Sequence, residues 1–200
     1  MRRLIFILLS IVLVTESSAK GLKVMGGLNL SRYSGTINGE NVWKLRTGFA
    51  IGVGYEIAFS SHIAIEINEF YIQKGSREEY REDGLYNYTI NYALNEISVP
   101  ILLKVRLRAD SSPYILAGGE LSFILSHKYI IEEGLEIGLI RPDAKSAYYG
   151  LVFGCGFDWE IGSISPFIEA RYQLSLTNIL EVEPPSYRPR AIVFLIGLKL

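Results

Sequence analysis

Large apolar side chains alternate with small or polar ones most regularly along residues 47–59, TGFAIGVGYEIAF. This alternation puts Phe49, Ile51 and Val53 on one face, and glycine, alanine and Glu56 on the other. Because a β-strand sends successive side chains to opposite faces, the stretch predicts a strand with one bulky apolar face. Its length suits a tilted strand that crosses a bilayer, which needs about 9–11 residues.

Seven other stretches repeat this two-residue period and predict further strands. The alternation slips near residues 69–71, which predicts a β-bulge there. Pro100 has no N–H group for a sheet ladder, so we expect a local irregularity around it. The seven predicted strands are residues 21–31, 63–74, 92–107, 114–126, 147–161, 166–177 and 190–200.

The predicted connections alternate between long and short along the chain. With an even number of strands, the short turns and both chain ends then lie at one end of the sheet. This is the plan of an outer-membrane barrel. The pattern therefore predicts an all-β fold, an eight-stranded antiparallel up-and-down transmembrane β-barrel with short periplasmic turns and long extracellular loops, within residues 20–200. The long loops are predicted at residues 32–46, 75–91, 127–146 and 178–189, and the short turns at residues 60–62, 109–113 and 162–165.

The volume of the side chains decides which face points outward. The apolar faces carry far more bulk than an eight-stranded barrel can enclose, since its interior is only just wide enough for side chains to fill. The opposite faces, rich in glycine and serine with a few charges, fit that space. We therefore expect the apolar faces to contact lipid. Aromatic residues expected in the interfacial girdles are Tyr55, Phe59, Tyr114, Tyr149, Trp159 and Tyr172.

The N-terminus indicates that the protein is exported, and the charge and cysteine content bear on its partners and chemistry. Arg2 and Arg3, an apolar run at residues 4–14 and the small residues at 17–19 predict a secretory signal peptide over residues 1–19. A net charge of −1 gives no reason to expect nucleic acid as a partner. The single cysteine, Cys155, alternates in phase with Phe153 and Phe157, so we interpret it as a small apolar strand residue.

Two short motifs carry a resemblance to a known family. They are Val99-Pro100-Ile101-Leu102-Leu103-Lys104 and Glu169-Ala170-Arg171-Tyr172, accompanied by the glycines of residues 48–54 and 150–156. The chain resembles the outer-membrane β-barrel family that includes PorT and the "porin family" or OmpA-like barrel proteins. The resemblance implies a location in the bacterial outer membrane, and the PorT-like members imply a link to type IX protein secretion.

Charged residues on the narrow faces of the predicted strands form the first candidate site. In so narrow a lumen they must pair or be hydrated, because an unpaired buried charge is costly. We predict a salt-bridged polar interior that fixes strand register; a gated ion path is the alternative, and a wide diffusion pore is disfavoured. The predicted interior charges are Glu56, Glu66, Glu96, Lys104, Arg106, Glu120, Asp158, Glu160, Glu169 and Arg171.

Two further features bear on function. Ser126 and His127 lie at the outer end of a predicted strand, where a lipid-modifying barrel enzyme would place a nucleophile and its base. Adjacent strand residues point to opposite faces, which argues against their acting together. The stretch at residues 77–92, rich in tyrosine and mixed charge, predicts either a binding surface or a solvated hairpin that extends the barrel wall.

Together these features predict a non-enzymatic barrel with a structural or protein-interaction role in the envelope, and no cofactor or metal. The expected partners are outer-membrane lipid and lipopolysaccharide, and envelope or secretion-machinery proteins. A lipid-modifying barrel enzyme and a small-solute channel are the alternatives.

Overall fold

The computed structural model describes residues 21–34, 43–82, 86–108, 112–133, 136–140, 145–180 and 187–200. The predicted signal peptide, residues 1–19, lies outside the described residues and stays a prediction. No helix within the described part is long and apolar enough to cross a membrane. The strands of the described ranges are β1 (Leu22–Ser34), β2 (Arg46–Ala58), β3 (Ile63–Glu82), β4 (Tyr86–Arg106), β5 (Pro113–Glu133), β6 (Glu136–Ile140), β7 (Ala147–Asp158), β8 (Ser165–Ser175) and β9 (Arg188–Lys199).

Eight of these strands close into a barrel in which every pairing is antiparallel. Neighbours follow the order β4-β3-β2-β1-β9-β8-β7-β5, and the pairing of β4 with β5 closes the ring. The short β6 pairs with the outer end of β5 beyond the ring. Closure pairs the backbone groups of every edge, as a hydrocarbon environment demands. The predicted eight-stranded antiparallel up-and-down barrel is therefore confirmed.

The apolar faces of the strands point outward and the narrow faces point inward. Phe49, Leu103 and Phe153 are 45%, 51% and 48% exposed, whereas Glu56 and Arg171 are 7% and 2% exposed. The expected direction of the two faces is confirmed. The interior is not purely polar, however, because it also buries apolar side chains, among them Met25, Phe70, Ile72, Leu102, Leu116, Val152, Phe167, Val193 and Leu195.

The predicted bulge at residues 69–71 is wrong, because the strand keeps its period through this region. Asn68, Phe70 and Ile72 all point inward, and β3 stays in one register with β2. A large aromatic side chain is accommodated on the narrow face because its neighbour is Gly52. A Cβ atom at Gly52 would lie 2.5 Å from the Phe70 ring and 2.5 Å from the Glu69 carbonyl oxygen.

The irregularity expected at Pro100 is present in the β3–β4 ladder. The pairing passes from Ile67 opposite Ile101 directly to Phe70 opposite Ser98. A bulge does occur on β5, where Asn95 faces Ser126 and Glu96 faces Ile124, so that Leu125 has no partner on β4.

Two of the predicted long loops are largely strand. Residues 75–82 and 86–91 belong to the ends of β3 and β4, which pair up to Glu82 opposite Tyr86. Most of residues 127–146 continue β5 and form β6. The polar composition predicted loops, but strand pairing continues through these segments, and on the inward side of β3 and β4 the Tyr92 hydroxyl donates to the buried Glu78 at 2.7 Å. The hairpin interpretation of residues 77–92 is therefore correct.

Candidate functional site

The interior charges nearest the periplasmic end form a continuous ion-pair network, which we call the lower network. Alternation on β1, β2, β3, β4, β7 and β8 turns its side chains inward from different walls of the barrel. Lys104 is the hub: its Nζ lies 3.0 Å from Glu56 Oε2, 3.3 Å from Asp158 Oδ2 and 3.3 Å from Glu66 Oε1. Arg106 Nε donates to Asp158 Oδ2 at 3.2 Å.

Glu66 joins the lower network to the walls formed by β1 and β8. Its side chain is completely buried, and both of its oxygens lie 2.8 Å from Lys23 Nζ. Arg171 Nη2 lies 3.6 Å from Glu66 Oε2, and Arg171 Nε donates to Glu169. Four buried carboxylates thus meet four buried cations, and Lys199, whose side chain is 20% exposed, adds a fifth cation 3.2 Å from Glu56 Oε1 at the rim. The buried members are Lys23, Glu56, Glu66, Lys104, Arg106, Asp158, Glu169 and Arg171.

Aromatic rings cover the cations of the lower network. Lys104 Nζ lies 3.6 Å from the centroid of the Tyr114 ring, and Lys23 Nζ lies 4.3 Å from that of Phe167. The Tyr114 hydroxyl donates to Glu169 at 2.9 Å. Tyr114 is therefore buried in the interior, and the expectation that it belongs to an interfacial girdle is wrong. Cation–π contact helps to replace the lost hydration of the ammonium groups.

A second, smaller group of charges lies nearer the outer end; we call it the upper cluster. Lys74 Nζ is 2.8 Å from Glu96 Oε1 and 3.7 Å from Glu120 Oε1. The Tyr148 hydroxyl donates to Glu96 at 2.6 Å, and Ser98 donates to Glu120 at 3.1 Å. Two carboxylates share one ammonium here, and neutral hydroxyl donors supply the remaining hydrogen bonds.

Buried residues without charge separate the two groups. Along the inward face of β3, Phe70 and Ile72 lie between Glu66 and Lys74. Along the inward face of β4, Leu102 is the residue next to Lys104 on the path to the upper cluster. Apolar side chains of the other walls pack at the same positions. Within the described residues the interior therefore alternates charged and apolar levels and presents no continuous charged path.

An aromatic cluster, the aromatic cap, closes the interior above the upper cluster. Tyr33 makes edge-to-face contacts with Trp43, Tyr92 and Tyr187, at centroid distances of 5.4, 5.9 and 5.7 Å. Tyr33 and Trp43 are only 1% and 4% exposed. Perpendicular ring pairs of this kind are the favoured aromatic geometry. The cap is thus a packed plug and leaves no open mouth between these rings.

His127 belongs to the aromatic cap because of the bulge at Leu125. The unpaired Leu125 reverses the facing of the residues beyond it, so His127 points inward, opposite Leu94. Its Nε2 atom is 3.0 Å from the Tyr33 hydroxyl. His127 lies beyond the exposed apolar residues Leu121 and Leu125 of β5, and burial lowers the pKa of its imidazole to about 4. The ring is therefore neutral at physiological pH.

Ser126 and His127 do not form a catalytic pair. The Ser126 hydroxyl accepts a hydrogen bond of 2.9 Å from the Asn95 amide, away from the imidazole. A nucleophile needs its base within hydrogen-bond reach, and these two side chains lie on opposite faces of β5. The argument from alternation is correct for this pair.

Nine of the ten predicted interior charges are buried inside the barrel. Glu160 is the exception: it follows the end of β7 and is exposed at the periplasmic end, because the strand stops at Asp158. Sequence reasoning missed the cations Lys23 and Lys74. Both lie in the inward phase of their strands, and the assumed slip near residues 69–71 concealed the phase of Lys74.

The sequence matches one protein-family model over residues 18–181, described as the outer membrane protein beta-barrel domain. The chain belongs to this family. It therefore lies in the bacterial outer membrane, and the predicted location is confirmed. No curated protein matches the sequence.

Several solved barrels are similar to this family member at low identity. Ail of Yersinia pestis, in complex with the heparin analogue sucrose octasulfate, is 18% identical with a TM-score of 0.41, over 90% of this chain and 97% of Ail. Neisserial surface protein A is 13% identical with a TM-score of 0.46, over 92% and 98%. OprG from Pseudomonas aeruginosa is 11% identical with a TM-score of 0.46, over 90% and 94%.

Proposed function

We propose that this outer-membrane barrel is a non-catalytic structural and interaction protein that acts through its outer surface and not through its lumen. The observation that carries the proposal is the filled interior, in which the lower network, the apolar level, the upper cluster and the aromatic cap follow one another. Their central side chains, Glu66, Lys74 and Leu102, are 0–1% exposed. A solute path through them would have to break several buried ion pairs at once.

The surface available for interaction is the hairpin wall beyond the bilayer. Strands β3, β4 and β5 continue past the lipid-facing band, to Glu82, Tyr86 and Glu133 respectively. This wall is a paired antiparallel sheet of β3, β4, β5 and the short β6, in contrast to a set of long loops. Its sequence is rich in tyrosine and also carries arginine, two residue types that are enriched in protein interfaces.

The partner class that we propose is another protein of the cell envelope, with the type IX secretion machinery as the first candidate. The support for that candidate is the similarity of Val99–Lys104 and Glu169–Tyr172 to PorT-like barrels. In the structure both segments lie in membrane-spanning strands, and Lys104, Glu169 and Arg171 belong to the lower network. The motifs therefore maintain the barrel itself, and the partner must be sought by experiment.

The test is site-specific photocrosslinking in native cells. A photoreactive amino acid replaces Thr89, on the part of β4 that pairs with β5 beyond the bilayer, and Ile65, on the lipid-facing part of β3. The proposal predicts a discrete crosslinked envelope protein from position 89, identified by mass spectrometry, and only lipid adducts from position 65. Absence of any protein adduct from position 89, together with solute uptake that depends on the barrel, would overturn it.

A further inference from the structure

Three arginines that have no carboxylate partner among the described residues lie on the outer wall where β1 meets β9. Arg32 and Arg190 are directly opposite each other in this ladder, and Arg188 is two residues further out. Their neighbours Tyr33, Pro189 and Ala191 are buried, so the three arginines are on the outward face. We call Arg32, Arg188 and Arg190 the arginine patch.

The patch begins where the lipid-facing apolar surface ends. On β9 the outward residues below Arg190 are Ile192, Phe194 and Ile196, which are 42%, 51% and 68% exposed. Opposite Arg190 on β8 lies Leu174, on which the aliphatic stem of the arginine can rest. The guanidinium groups therefore lie just beyond the hydrocarbon, at the extracellular end of the barrel, which is the depth of lipid headgroups.

The arrangement is unfavourable without an anion. Side chains directly opposite in an antiparallel ladder have Cβ atoms about 4.5–5.5 Å apart, and like charges at this distance destabilise the pair. Among the described residues no carboxylate lies within ion-pair distance of Arg32, Arg188 or Arg190. The Nε atom of Arg190 is buried and has no hydrogen-bond partner within the same residues.

We infer that the arginine patch binds the phosphate group of a phosphorylated lipid in the outer leaflet, as carried by the lipid A portion of lipopolysaccharide. Guanidinium groups bind phosphate through two parallel N–H···O bonds. Arg32 and Arg190 converge on one phosphate, and Arg188, about two residues' rise further out, reaches an adjoining oxygen or a second anionic group. The apolar residues below the patch contact the acyl chains of the same lipid.

The experiment measures lipid binding to the purified full-length barrel by native mass spectrometry. The two probes are bisphosphorylated lipid A and the same lipid after enzymatic dephosphorylation. The test variant is R32Q/R190Q. The matched control, R108Q/K128Q, removes two positive charges elsewhere, one of them at the exposed Arg108 near the periplasmic end of β4.

The inference predicts that the unmodified barrel binds the phosphorylated lipid about 10-fold more tightly than the dephosphorylated one, as expected for a charge-assisted bidentate contact. R32Q/R190Q loses this preference, R32K/R190K retains part of it, and the control keeps it. Equal affinity of the unmodified barrel for the two lipids overturns the inference, even if the glutamine variant fails to fold. An equal loss in R108Q/K128Q also overturns it, because the attraction would then follow net charge alone. The inference does not depend on the proposed interaction role, which the crosslinking experiment tests separately.

Discussion

Removing the carboxylate of Glu66 is the most informative perturbation of the interior. In Glu66→Gln the shape of the side chain is kept, but Lys23, Lys104 and Arg171 lose the negative charge that lies 2.8, 3.3 and 3.6 Å from them. Loss of one partner of a buried ion pair costs about 3–5 kcal/mol, chiefly because the remaining charge stays buried without compensation. We expect the free energy of unfolding to fall by this amount.

A double variant separates charge balance from lost contacts. Among the buried members of the lower network, Lys23→Met alone leaves an excess carboxylate, whereas the combined K23M/E66Q variant keeps three carboxylates and three cations. Because the two residues belong to one ion-pair network, we expect the double variant to be less destabilised than the sum of the singles, by about 2–3 kcal/mol. The assay is urea unfolding in lipid vesicles, followed by tryptophan fluorescence and by the gel mobility of the folded barrel.

The control for this cycle is Glu160→Gln, which changes an exposed carboxylate at the periplasmic end and should shift the free energy of unfolding by less than about 0.5 kcal/mol. If Glu66→Gln costs as little as the control, or if the effects of Lys23→Met and Glu66→Gln simply add, the charges are individually hydrated. The idea of a mutually paired and dry network would then be refuted.

Three further outcomes follow from the geometry. Gly52→Ala should destabilise the barrel by about 1–3 kcal/mol in the same urea titration, because the added Cβ would meet the Phe70 ring at 2.5 Å. Gly26→Ala is the control and should be tolerated, because its Cβ would meet only a carbonyl oxygen at 3.6 Å. The free energy of unfolding should decrease as the pH falls from about 6.5 towards 4, because the imidazole of His127 binds a proton in the unfolded chain but, with its pKa of about 4, not in the folded barrel. This component of the pH dependence should disappear in His127→Gln. If His127→Gln and the unmodified barrel have the same pH profile, the burial of the imidazole is contradicted. Ser126→Ala and His127→Ala should leave the lipid A profile of the native cells unchanged by mass spectrometry, and a changed profile in both variants would favour the enzyme.

The number and facing of the strands could be predicted from the sequence because the two-residue period is strong. Residues 47–59 illustrate this: Phe49, Ile51, Val53 and Ile57 point to lipid, whereas Gly52 and Glu56 point inward, as alternation requires. The same logic located nine interior charges, since inward phase and charge together specify them. It failed for Glu160, because the end of a strand is decided by turn geometry and not by alternation.

Other parts of the site depend on pairing between distant segments and were beyond sequence reasoning. His127 points inward because of a bulge, at which β5 carries one extra residue, Leu125, that has no partner on β4. The aromatic cap joins Tyr33, Trp43, Tyr92 and Tyr187, whose proximity follows from barrel closure. The extent of β3 and β4 beyond the bilayer was concealed by their polar composition, because a solvated hairpin has no apolar face to reveal it.

The conductance of the purified barrel in planar lipid bilayers tests the central claim most directly. A filled interior predicts no discrete conductance steps at 100 mV in 1 M KCl, under conditions in which an open porin in the same chamber gives clear steps. Steady, unit-sized conductance steps from the unmodified barrel would contradict the account.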